Sequence, residues 1–346
     1  METIRFETGP ELKAGELKGM PLNSGLYDGG LFHVPWCSIP GRGELREGQD
    51  GVVRMAVNRA HEFFFISHGE QTEVVLNGKS SLFPSFALPT THLGKPLKAV
   101  LLDLDGTCVK SEHFWIMTIL ETVNTMRDSA GLERIPAFRP EELPYISGRS
   151  VPEHLHYCID HYCPEAPLSR MQSVYTEIAE TYMEQLCSGE LQLDAFEPTD
   201  GLKELLLWFK EKNIKIGIVT SGLYYKAWPE LVQAMEKMDL GDPLLFFDAV
   251  MTAGTVARRG QSGTMGNSIA KPWPNLYFEA LQAMGLSLKE RFHVAGVGDS
   301  SSDAGSLRTM GVPFIGVGGG NIRQAGSLAL CNLFVENLSE VIGLLK

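Results

Sequence analysis

Residues 98–110 read KAVLLDLDGTCVK, and the fold is decided there. Ala99, Val100, Leu101 and Leu102 form a short, wholly apolar run, the pattern of a strand buried inside a parallel sheet. Asp103, Leu104 and Asp105 follow at once, then Gly106 and Thr107. Strand side chains alternate, so Asp103 and Asp105 leave the strand pointing to the same side. Gly106 then lets the backbone turn tightly. Two carboxylates crowded beyond the carboxyl end of a parallel strand repel unless a cation or a proton separates their charges. An Asp-x-Asp-Gly sequence also makes an ordinary strand-to-loop turn, so the choice between the two readings falls to the rest of the chain.

Downstream, residues 213–222 (NIKIGIVTSG) read as a second buried strand ending in the hydroxyls of Thr220 and Ser221. The segment before it carries Leu202, Leu205, Leu206 and Phe209 at helical spacing, with Asp200 placed to cap the helix. Lys271 stands before Pro272, a residue suited to opening a helix. Residues 292–303 (FHVAGVGDSSSD) form a third strand ending in Asp299 and Asp303. Strands separated by helical patterns predict a parallel, doubly wound, Rossmann-like α/β sheet, with polar groups gathered at its carboxyl edge into one site.

This ordered set resembles the haloacid dehalogenase superfamily, in particular its phosphoglycolate phosphatase and β-phosphoglucomutase branch. The four motifs match at residues 103–107 (DLDGT), Thr220, Lys271 and residues 298–303 (GDSSSD). The resemblance implies Asp103 as the nucleophile that becomes an aspartyl phosphate, and Asp105 as general acid and later base. It implies phosphate binding by Thr220, Ser221 and Lys271, and Mg²⁺ held by Asp103, the Asp105 carbonyl, Asp299 and Asp303. The chemistry is consistent: a carboxylate is a weak nucleophile, repelled by a phosphate dianion unless they share a cation. Asp105 can keep a proton near neutrality only if burial or another acid raises its pKa. The implied activity is a phosphatase of small phosphorylated metabolites, with a phosphosugar mutase as the alternative.

Residues 112–196 are helical in pattern and too long for a simple crossover. The resemblance makes them a cap closing over the site. Residues 146–150 (ISGRS) look like a substrate-recognition loop, with Arg149 gripping an anionic group. Ser150 and Glu153 equally make a capping box around Pro152. His154, His156, Cys158, His161 and Cys163 lie close together but match no zinc spacing, and read as a partly buried helix. Arg258 and Arg259 read as a solvated pair in a Gly- and Ser-rich loop. The core thus comprises residues 96–111 and 197–346.

The first 95 residues carry no resemblance. Segments 52–58, 62–67 and 72–78 read as short strands of a β-rich extension, either a small β domain or an arm that packs on the core and forms a homo-oligomer contact, with an added non-enzymatic binding role as the further alternative.

Composition bounds these readings. At 346 residues, with 44% hydrophobic and 21% charged, the chain has the composition of a globular protein of two or three domains. A formal charge of −12 argues against non-specific nucleic-acid binding. No apolar run approaches the roughly 20 residues needed to cross a bilayer. METIRFETGPELK resembles no signal peptide, so a cytoplasmic location is expected. Six scattered cysteines read as free thiols.

Overall fold

The computed structural model describes residues 3–77, 83–146, 151–188, 190–191, 195–253, 262–264 and 271–346. Arg149, Ser150, Arg258 and Arg259 lie outside the described residues.

Ala99–Asp103 is the central strand of a parallel sheet, and every residue in it is buried. On one side it pairs with Lys215–Leu223, which pairs in turn with Ala249–Ala253. On the other side lie Val294–Gly298, Phe314–Val317 and Leu333–Val335. Ser262–Thr264 adds an edge pairing next to Ala249–Ala253. Strand order therefore reverses at Ala99–Asp103, which creates a crevice at its carboxyl end. Register carries the site: Asp103 lies opposite Val219, and Leu102 opposite Val297. Thr220, one residue past Val219, and Asp299, two residues past Val297, consequently open onto the same cavity as Asp103.

Alternation divides the core. Val100 and Leu102 join one buried cluster with Ile216, Ile218 and the inserted helices, while Ala99 and Leu101 join another on the opposite face. The insertion contains Glu112–Ser129, Val151–Tyr162 and Leu168–Ser188. Its neck is a short antiparallel ribbon pairing Val109–Lys110 with Glu197–Pro198. Two local expectations are corrected by the fold. Asp200 does not cap the helix Leu202–Glu211: Gly201 holds the N-cap position at φ +82°, which leaves Asp200 one residue too early, and its side chain pairs with Lys110 on the ribbon at 2.7 Å. Pro272 does not open a helix either; the next helix is Asn275–Ala283, with Pro274 as its N-cap.

The N-terminal region is β-rich, as the strand patterns predict. Leu31–His33, Arg54–Asn58, Phe63–Ser67, Thr72–Leu76 and Ser85–Ala87 form one antiparallel sheet. Arg5–Phe6, Trp36–Ile39 and Gly43–Arg46 form another. Phe63–Ser67 is buried throughout because both of its faces are covered. Phe63 and Phe65 share a core with Leu101, Ala304 and Phe314, whereas Phe64 and Ile66 pack with Val34, Cys37 and Ile39. Five cysteines (Cys37, Cys108, Cys158, Cys163 and Cys331) are free and buried. Among the described residues, no helix is long and apolar enough to cross a membrane.

Candidate active site

Asp103 ends the central strand with its side chain almost wholly buried, and Lys271 makes an ion pair with it. The Lys271 ammonium also lies 2.7 Å from Asp303. Its backbone N–H donates to the Ser221 hydroxyl at 3.0 Å, which ties the lysine to the end of the second strand. Asp303 sits in the first turn of Ser301–Met310, where its backbone N–H donates to the Ser300 hydroxyl. Asp299 stands just past the end of Val294–Gly298 and accepts from the Thr107 hydroxyl at 3.2 Å. Carboxylate oxygens of Asp103, Asp299 and Asp303 all lie within 4.8 Å of one another, and all three residues are buried.

Close approach needs glycine at two places. Gly106 turns the chain at φ +81°, and a Cβ there would fall 2.3 Å from an Asp299 oxygen. A Cβ on Gly320 would meet the Asp299 carbonyl at 2.2 Å.

Electrostatics follow from this crowding. Burial, then the charge of Asp303, push the Asp103 carboxyl up to about 7, against the pull of Lys271. Burial and the charges of Asp103 and Asp303 push Asp299 well above the ordinary carboxylate range. Burial works against the Lys271 charge, yet Asp103 and Asp303 hold it above its usual value. The site is short of positive charge, which a cation would supply.

Asp105 opens onto the same cavity as Asp103 but takes other partners, because the strand ends before it. Lys226 lies 2.5 Å from its Oδ1, the Ser111 hydroxyl donates to Oδ1 at 2.9 Å, and the Thr220 hydroxyl donates to Oδ2 at 3.0 Å. Burial works to raise this carboxyl, but Lys226 and the two hydroxyls outweigh it and bring it down to about 2. The condition for Asp105 to keep a proton near neutrality is therefore not met: the acid rests as a carboxylate because the Lys226 ammonium sits against it. Sequence reading missed Lys226, along with its partner Glu230, which is fully buried.

The surrounding cavity measures about 960 Å³. Thr220, Ser221 and Lys271 line it on the sheet side, His113 and His154 on the insertion side, and Glu62 and Asn77 on the N-terminal side. His154 and Cys158 are buried in the insertion, whereas His161 is exposed and bonds the Tyr157 carbonyl of its own helix.

A doubly wound sheet with a helical insertion after its first strand, and an acid–lysine cluster at its switch point, defines an enzyme of the Rossmann-like class. A family model described as haloacid dehalogenase-like hydrolase matches residues 97–311, and the chain belongs to that family. It is 26% identical over 225 residues to a phosphoglycolate phosphatase of Pseudomonas savastanoi pv. phaseolicola, a match covering 63% of this chain and 68% of the relative. It is also 26% identical over 253 residues to a phosphoglycolate phosphatase of Chromobacterium violaceum, covering 73% of this chain and 98% of the relative. Among solved structures, a predicted phosphoglycolate phosphatase from Haemophilus somnus superposes with a TM-score of 0.52 at 18% identity, over 73% of this chain and 100% of that one. CbbY from Rhodobacter sphaeroides in complex with phosphate gives 0.50 at 17% identity, over 71% and 96%.

Proposed function

We propose that this chain is a divalent-metal-dependent phosphatase that removes phosphate from a small phosphorylated metabolite through an aspartyl phosphate on Asp103. The observation that carries this reading is the setting of Asp103. It is a buried carboxylate at the switch point, paired with Lys271 and within 4.8 Å of two further acids. The curated relatives, both named phosphoglycolate phosphatase, point the same way.

Asp103 and Asp299 fit a magnesium ion: they are hard oxygen donors, buried and crowded, and with Asp303 they share a single ammonium, Lys271, among three acids. Asp303 fits less well as a direct ligand. Lys271 and the Tyr277 hydroxyl occupy its Oδ1, and the Ser300 hydroxyl occupies its Oδ2. Asp103 and Asp299 would hold the ion, with Asp303 fixing Lys271. When bound, the cation neutralises the phosphoryl oxygens and lets a carboxylate approach them.

In this reading an Asp103 oxygen attacks phosphorus, and the bond from phosphorus to the leaving oxygen breaks. Lys271 neutralises charge on the phosphoryl oxygens. Asp105 rests as a carboxylate, so the proton for the leaving oxygen arrives with the substrate's monoanion, whose second ionisation lies at roughly pH 6, and passes through Asp105. Water then attacks the aspartyl phosphate, Asp105 takes its proton, and inorganic phosphate leaves. Residues 112–196 act as a cap that excludes bulk water.

The test is phosphate release from a panel of phosphorylated sugars, hydroxyacids and nucleotides, with Mg²⁺ and with chelator. Turnover of at least one ester, abolished by chelation, is expected. Release that survives chelation removes the metal from the mechanism, and no release from any ester overturns the reading.

A further inference from the structure

We infer that Lys226, backed by Glu230 and Trp115, is a positioning residue that aims the Asp105 carboxyl at the leaving oxygen. The inference rests on the phosphatase reading and deepens it.

Lys226 lies in the first turn of Tyr224–Lys237, just beyond the second strand. Its ammonium is held on three sides. Asp105 Oδ1 lies at 2.5 Å, Glu230 Oε1 at 3.5 Å, and the Trp115 ring centroid at 4.7 Å. The Trp115 indole N–H donates to the same Glu230 carboxyl, which burial and the Asp105 charge hold well above the usual range. Glu230 is fully buried. Asp105 therefore receives three donors: Lys226 and Ser111 on Oδ1, and Thr220 on Oδ2. A carboxyl gripped at both oxygens cannot rotate freely, and a general acid has to present one chosen oxygen to the leaving group.

Stability alone does not account for the arrangement. A buried lysine–glutamate pair is often no better for stability than apolar side chains of the same volume. In this chain the pair lies against the acid that handles the leaving-group proton, and Lys226 lines the same cavity as Asp103 and Asp105. Trp115 belongs to the first inserted helix and Glu230 to the core, so the clamp also joins the insertion to Asp105.

A leaving group that needs no proton separates aim from general damage. We would compare kcat/KM for an alkyl phosphate from the panel with that for 2,4-dinitrophenyl phosphate. Lys226→Met is expected to lose about tenfold more on the alkyl ester than on the aryl ester, a fraction of the roughly 10²–10⁴-fold that a general acid contributes in full, because Asp105 itself is kept. Lys226→Arg should recover part of the difference, and Glu230→Gln should show it in weaker form. If Lys226→Met lacks a cooperative thermal transition, the other two variants decide. Equal losses on both esters overturn the inference while leaving the phosphatase reading intact. A wild-type protein that cleaves neither ester overturns both.

Discussion

Burial and Asp303 push Asp103 up to about 7, whereas at Asp105 the Lys226 ammonium outweighs burial and brings the carboxyl down to about 2. The signs give a pH dependence. An unfolded aspartate titrates at about pH 4, so between about pH 4 and 7 native Asp103 keeps a proton that the unfolded chain releases. Stability then falls as pH rises through that window, and the raised carboxyl of Asp299 acts in the same direction. Asp105 works oppositely: its contribution is present above about pH 4 and lost only toward about pH 2. In chelator, Tm should fall between about pH 5 and 7.5, and Mg²⁺ should raise Tm more at the upper end of that range than at the lower. A flat Tm in chelator, with equal Mg²⁺ effects at both ends, would contradict the charge assignment. Asp103→Asn should flatten this slope and reduce turnover by on the order of 10⁴, with no acid-stable labelled phosphoenzyme. Asp103, Asp105, Lys271, Asp299 and Asp303 were legible because each follows an apolar run or belongs to an ordered motif set. Lys226 was not: with Glu230 four residues on, it reads like any solvated helix pair. Burial comes from Trp115, 115 residues before Glu230 in the chain.

At the scale of elements, the turn after the central strand sets how closely two strand ends approach. Gly106 combines a positive φ with an Asp299 oxygen 2.3 Å from where a Cβ would stand. Gly106→Ala should therefore cost about 1–2 kcal/mol in backbone strain and push Asp299 out of the acid cluster. The expected result is a lower urea midpoint and a several-fold higher Mg²⁺ concentration for half-maximal activity. An unchanged Mg²⁺ requirement would show that Asp299 does not need its present position. The strands were readable from their apolar runs. The cap at Asp200 was misread because local sequence favours it, while the ribbon at the insertion's neck brings Lys110 to it.

Across the whole molecule, the N-terminal sheet and the parallel sheet share one apolar core. Leu31, Phe63, Phe65 and Leu76 pack in the same cluster as Leu101, Ala304, Leu307 and Phe314. A Cβ on Gly305, in the helix that carries Asp303, would lie 2.5 Å from the Phe63 ring. Buried Arg308, on that helix, donates to the carbonyl of Pro21. Which surface these strands cover was not legible, because a short strand bounded by turn signals carries no mark of its distant partner. Fully burying one such side chain contributes about 1.5–3 kcal/mol, so losing the partners of four approaches a domain's entire stability of about 5–15 kcal/mol. Deleting residues 1–95 should accordingly leave a chain without a cooperative thermal transition, eluting as aggregate on size exclusion. Phe63→Ala is the milder version, expected to cost about 3–5 kcal/mol and to loosen the helix beneath Asp303. A truncated protein that stays monomeric, melts cooperatively and turns over substrate would show instead that the parallel sheet stands without its N-terminal cover.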